Sequence, residues 1–158
     1  RPLVGLVWSG ERSHDNDLNR SVRLATLAPV LDLPGITFVS LQHEVRDEDA
    51  GLLRSRGDVS AIGAAFKDFA DTAAAIAALD AVIAVDTAVA HLAGAMGKPL
   101  CLLLPFAADF RWLRGRADSP WYPSARLFRQ PRFGDWDGAV NALREELAQF
   151  ATRCGRAA

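Results

Sequence analysis

Apolar runs and polar breaks alternate along this chain. Leu3 to Trp8 is a continuous apolar segment closed by Ser9-Gly10, and it reads as a strand buried on both faces. A polar loop follows, Glu11 to Asn19. Leu24, Leu27, Ala28 and Leu31 then recur at helical spacing, and Pro29 inside that pattern predicts a short, kinked or late-starting helix. Pro34-Gly35 is a turn, and Ile36 to Leu41 a second strand. Arg46 to Arg54 reads as a charged surface helix ending near Gly57, and Val59 to Ile62 as a third strand. Asp71-Thr72 is placed to cap an alanine-rich helix, Ala73 to Leu79. Ala81 to Val85 and Leu100 to Leu104 are the fourth and fifth strands. Between them Thr87 to Met96 is a small-residue helix that Gly97 and Pro99 stop. A long aromatic and basic loop, Phe106 to Ser124, leads to a sixth strand, Ala125 to Arg129. Asp135 to Phe150 closes the chain as an amphipathic helix, with Val140, Leu143, Leu147 and Phe150 on one face.

Continuous apolar strands alternating with helices predict an α/β fold, a Rossmann-like, doubly wound parallel sheet covered on both faces. In the strand order 3-2-1-4-5-6 the winding reverses between strands 1 and 4, and ligands sit at the carboxyl ends there. Those ends carry Ser9-Gly10 and Asp86-Thr87-Ala88. Asp86 stands where a helix N-cap belongs, and the amides of Thr87 and Ala88 would then offer free N–H groups to a phosphate. That suggests a nucleotide ligand. The turn after the first strand has a single glycine and Glu44 is poorly matched to a ribose-binding acid, so the dinucleotide fingerprint is missing; no P-loop pattern exists either.

The chain has 158 residues, 50% hydrophobic and 23% charged, with a net charge of -1. This is one domain's worth of sequence with enough apolar material for a core, and nothing in the charge points to nucleic acid or an anionic membrane. Cys101 and Cys154 have no metal-binding spacing and make no disulfide framework, so a reducing, cytoplasmic setting is the default. No apolar run is long enough to cross a bilayer. With a strand starting almost at once and no leader pattern, the sequence looks like a domain cut from something larger.

The segment Asp86-Thr87-Ala88-Val89-Ala90-His91-Leu92-Ala93, continuing through Gly97-Lys98-Pro99, resembles the carboxyl-terminal domain of the family 9 glycosyltransferases, the lipopolysaccharide heptosyltransferases. The resemblance is closer to a bacterial group in which tetratricopeptide repeats precede such a domain. It extends over Val7 to Gly10, Asn16 to Ser21, Asp68 to Ala73, Asp118 to Pro123 and Phe128 to Pro131. It implies a single half-domain of the two-domain GT-B fold, the half that holds a nucleoside-diphosphate sugar over residues 1–158. The acceptor domain, which usually carries the catalytic base, is absent from this chain. No cofactor and no metal are expected. The partners implied are the nucleotide sugar and an acceptor domain or tetratricopeptide repeats in the parent chain.

Transferred onto this sequence, the resemblance implies a substrate-binding set of Ser9, Gly10, Arg20, Asp86, Thr87, Ala88 and His91. Asp86 would touch the donor sugar as well as capping its helix. Arg20 would compensate the leaving diphosphate, with Arg12 in reserve. An exposed Arg20 would contribute little to stability. His91 follows Thr87 by one helical turn and is given either a ligand or a supporting role, not that of a general base. Ala88 departs from the family, where glycine is usual. Trp112, Trp121 and Tyr122 would meet the nucleobase or the missing domain, or pack in the core. Lys98 is expected at the surface. Two other functions remain open: a non-catalytic interaction module of a repeat protein, and a sugar-nucleotide epimerase of GT-B shape.

Overall fold

A computed structural model describes residues 1–156. Six strands form one parallel sheet, as the pattern predicts, in the order β3-β2-β1-β4-β5-β6 assumed for a doubly wound fold. The strands are β1 (Leu3–Val7), β2 (Thr37–Ser40), β3 (Val59–Ala61), β4 (Ala81–Val85), β5 (Leu100–Leu104) and β6 (Ala125–Arg129). Between and after them lie α1 (Asp17–Arg20), α2 (Ala28–Leu31), α3 (Asp47–Ser55), α4 (Phe69–Ala78), α5 (Ala88–Ala95) and α6 (Trp136–Arg156). Every residue of β4 and β5 is buried, because helices cover both faces of the sheet. One apolar layer joins Leu6, Ile83 and Leu103 to α2, α3 and α6. The other joins Val82, Leu102 and Leu104 to α4, α5 and Trp112.

Local chemistry explains most of the boundaries. Pro29 sits in the first turn of α2, after a 3-10 turn over Leu24–Leu27, so the helix starts late instead of kinking. Gly97 adopts φ 69° after α5; its N–H reaches Gly94 O and that of Lys98 reaches Ala93 O, the two bonds of a Schellman ending. The predicted cap of α4 is corrected. Asp68, not Asp71-Thr72, is the N-cap: its carboxylate accepts from the amides of Ala70 and Asp71, and Asp71 reaches back to the amide of Lys67. The two acids form a reciprocal cap, and the helix starts earlier than the alanine run implies. Lys98 lies at the surface, partly buried. Its ammonium donates to Ala77 O and Leu79 O, closing the carboxyl end of α4.

Among the described residues no helix is long and apolar enough to cross a membrane.

Candidate functional site

The crevice opens where the sheet reverses its winding, between the carboxyl ends of β1 and β4. After β4 the chain turns within Asp86 and Thr87. Thr87 is the N-cap of α5, in extended conformation, and no side chain caps the helix. The sequence placed Asp86 in that role; the carboxylate instead turns toward His91, with Oδ1 3.7 Å from Nε2. The Thr87 hydroxyl donates to Val85 O, which leaves the first amides of α5 uncapped at the rim.

After β1 the turn is longer and is held by side chains from elsewhere. Gln42, just past β2, accepts from the amides of Trp8 and Ser9 and donates to Ser9 O. Asp49 of α3 is 2% exposed; it accepts from the Trp8 indole N–H at 2.8 Å and from the Leu24 amide at 3.1 Å. Asp17, also buried, accepts from Ser21 Oγ and from Arg46. These three residues were not singled out from the sequence. In a linear reading each is an ordinary polar residue, and only the tertiary fold brings it under the turn. A buried tryptophan does require an acceptor for its N–H, but sequence does not say which.

Arg20 is corrected from an exposed to a seated cation. Its side chain is 12% exposed, Nη1 donates to Asp86 O at 2.9 Å, and Nε lies 3.9 Å from Asp17. It therefore links the two turns. Gly10 provides the seat: a Cβ there would fall 2.5 Å from Arg20 Nη2. Nη2 makes no hydrogen bond to a described side chain or backbone group, and Nε is buried without one. Ser9 Oγ is buried and unpartnered too. Arg12, the reserve cation, is paired with Glu44 at 3.0 Å, and both side chains are about half exposed or more.

Two clefts meet at this ridge, and Arg20, Thr87 and Ala88 line both. One, about 550 Å³, runs over Ser9, Gly10, Leu41, Gln42 and Thr72 and has Phe66, Phe69 and Val89 as apolar wall. The other, about 660 Å³, is walled by polar groups: His14, Asn16, Asp86, His91, Asp109 and Arg111. All seven predicted site residues line one or both clefts.

Burial alone would push the Asp86 carboxyl up. His91, the Trp112 indole and Arg20 outweigh it and hold the group below the usual carboxylate range. Trp112 is fully buried and stacks on His91 with ring centroids 5.1 Å apart. Tyr122 bonds His91 Nδ1 at 2.9 Å. Two of the three loop aromatics thus pack against α5, while Trp121 is exposed. Burial pushes the Cys101 thiol up to about 12, aided by Glu146, so it is no nucleophile at neutral pH.

No protein-family model matches the chain. It is 32% identical over 155 residues to "Protein FlbA" of Caulobacter vibrioides, covering 95% of this chain and 26% of that protein. Among solved structures it superposes on E. coli heptosyltransferase WaaC with ADP at a TM-score of 0.69 and 15% identity, covering 94% of this chain and 44% of that one. On E. coli ADP-heptose lps heptosyltransferase II the score is 0.64 at 18% identity, covering 97% and 47%. At such identities the likeness is one of fold: the chain has the architecture of one half of these enzymes. It spans about a quarter of its curated relative and under half of either heptosyltransferase.

Proposed function

We propose that this chain is the nucleotide-sugar-binding half of a GT-B glycosyltransferase, taking a nucleoside-diphosphate sugar as donor. One observation carries the reading. The uncapped start of α5 and the free edge of the Arg20 guanidinium meet on the ridge between a cleft with an apolar wall and a polar one, and the buried, unpartnered Ser9 belongs to the lining of the first. A nucleoside fits the apolar side, against Phe66 and Phe69. The diphosphate lies on the ridge, where helix amides and a guanidinium both favour negative charge. The sugar takes the polar side, where Asp86 and His91 offer hydrogen bonds to hydroxyls.

The contribution to catalysis is electrostatic. As the glycosidic bond breaks, charge builds on the departing diphosphate, and donors already fixed in place stabilise it. Arg20 is well suited, because Asp86 O and Gly10 fix its plane before any ligand arrives. The base that activates the acceptor belongs to the remainder of the parent protein, along with the acceptor site. The two heptosyltransferases of like fold support the transferase reading.

Thermal melts of the chain against ADP, UDP, GDP and CMP and their sugar conjugates test this. One base is expected to stabilise the chain, by about 2.7 kcal/mol when present at 100 times its dissociation constant. If none shifts the melt at millimolar concentration, the reading fails.

A further inference from the structure

Tyr122 lies in the loop between β5 and β6, far from either turn in sequence, yet it reaches the polar cleft through one imidazole. Its ring lies flat on α5 at Gly94, where a Cβ would come within 2.5 Å of Tyr122 Cγ. No other residue at position 94 would let the ring so close. From that seat its hydroxyl meets His91 Nδ1 at 2.9 Å, while the opposite ring nitrogen, Nε2, faces Asp86 Oδ1 at 3.7 Å. Stacking on Trp112 and an edge contact with Tyr122 define the plane of the imidazole.

We infer that Tyr122 is a positioning residue for the donor sugar, acting through His91 on Asp86; this rests on the donor-site reading above. The chemistry is a matter of tautomer. A phenol that donates to Nδ1 leaves the ring proton on Nε2, directed at the carboxylate. Asp86 then has its carboxylate oriented by the His91 N–H, and the lone pairs not turned to His91 or Trp112 can accept from a sugar hydroxyl. Without the phenol, only the carboxylate 3.7 Å away favours the proton on Nε2, and the other tautomer gains population. A neutral ring with its proton on Nδ1 would turn a lone pair toward the carboxylate and swing it out of register. The bare diphosphate does not touch Asp86, since carboxylate and phosphate repel each other. The Tyr122–His91 contact therefore bears on the sugar and not on the nucleotide.

The decisive variant is Tyr122→Phe, which keeps the ring against Gly94 and removes only the hydroxyl. Imidazole nitrogen shifts of the ligand-free chain at pH 8 should place the His91 proton on Nε2 in the parent and redistribute it in the variant. Calorimetry with ADP, UDP, GDP and their hexose conjugates should then show diphosphate affinity unchanged within about twofold and sugar-conjugate affinity lowered by about fivefold, the value of one net hydrogen bond. His91→Gln supplies a side-chain N–H toward Asp86 without the phenol. Its sugar-conjugate affinity should be lowered, and Tyr122→Phe should add no further loss in that background, because the phenol acts only through the imidazole. An unchanged His91 tautomer in Tyr122→Phe overturns the inference, as does an equal loss for diphosphate and conjugate, which would mark a merely structural contact. Absence of any nucleotide binding by the parent chain overturns the donor-site reading itself and this inference with it.

Discussion

The chain makes its two crevice turns by opposite means. After β4 it turns compactly: Asp86 and Thr87 lead straight into α5, and one distant side chain, Arg20, bonds the turn, through Asp86 O. After β1 it turns on borrowed side chains, with Gln42 and Arg46 from the loop after β2, Asp49 from α3 and Asp17 from α1 converging on it. Arg20 joins the two by donating to Asp86 O. Substitutions in the β4 turn should therefore act locally, whereas the β1 turn should fail through residues distant from it.

The largest test of that contrast is Asp17→Ala. It would strip Arg46, 12% exposed, of its ion-pair partner and leave Arg20, equally buried, with the Asp86 carboxylate alone nearby. Breaking a buried pair in this way costs about 3–5 kcal/mol. Urea denaturation should show a loss of that size, and one below about 1 kcal/mol would mean that the network does not hold the turn. Gln42→Ala comes next. It strands two amides and a carbonyl in a buried site, and about 2 kcal/mol should be lost.

How legible were these two turns? The β4 turn was readable because a strand ending, a polar pair and a small-residue helix are contiguous in sequence. So was the parallel, covered sheet, since unbroken apolar runs such as Ala81–Val85 and Leu100–Leu104 suit a sheet covered on both faces, whereas the strand order is not written in those runs. The cap was misread at Asp86 because an aspartate before a helix has two uses. Which one operates depends on His91 and Trp112, the second of them twenty-six positions away. The β1 turn was largely illegible. Asp49 lies in a helix that reads as solvated, and Asp17 in a loop that reads as polar, yet both are buried by pairing across long sequence separations.

A finer test concerns acid. The Asp86 carboxyl is held below its unfolded-state range, so its charge stabilises the fold above about pH 4 and that contribution disappears as pH falls through the lower folded-state value. Stability measured from pH 6 down to pH 2 should fall more steeply in the parent than in Asp86→Asn. Parallel curves would mean that Asp86 is not favoured in its charged form. The smallest effect is expected at Thr87→Ala. Its side chain caps nothing, so stability should move by about 0.5 kcal/mol or less and diphosphate affinity should not change.

Arg20 is where the two turns and the proposed ligand meet. Calorimetric titration of the stabilising nucleoside diphosphate into the parent and into Arg20→Ala, both shown folded by circular dichroism, addresses the ridge directly. The parent should bind, and the variant should lose at least about tenfold in affinity, the value of a hydrogen bond to a charged group. Equal affinity in the two proteins would place the diphosphate elsewhere and contradict the ridge as the donor site.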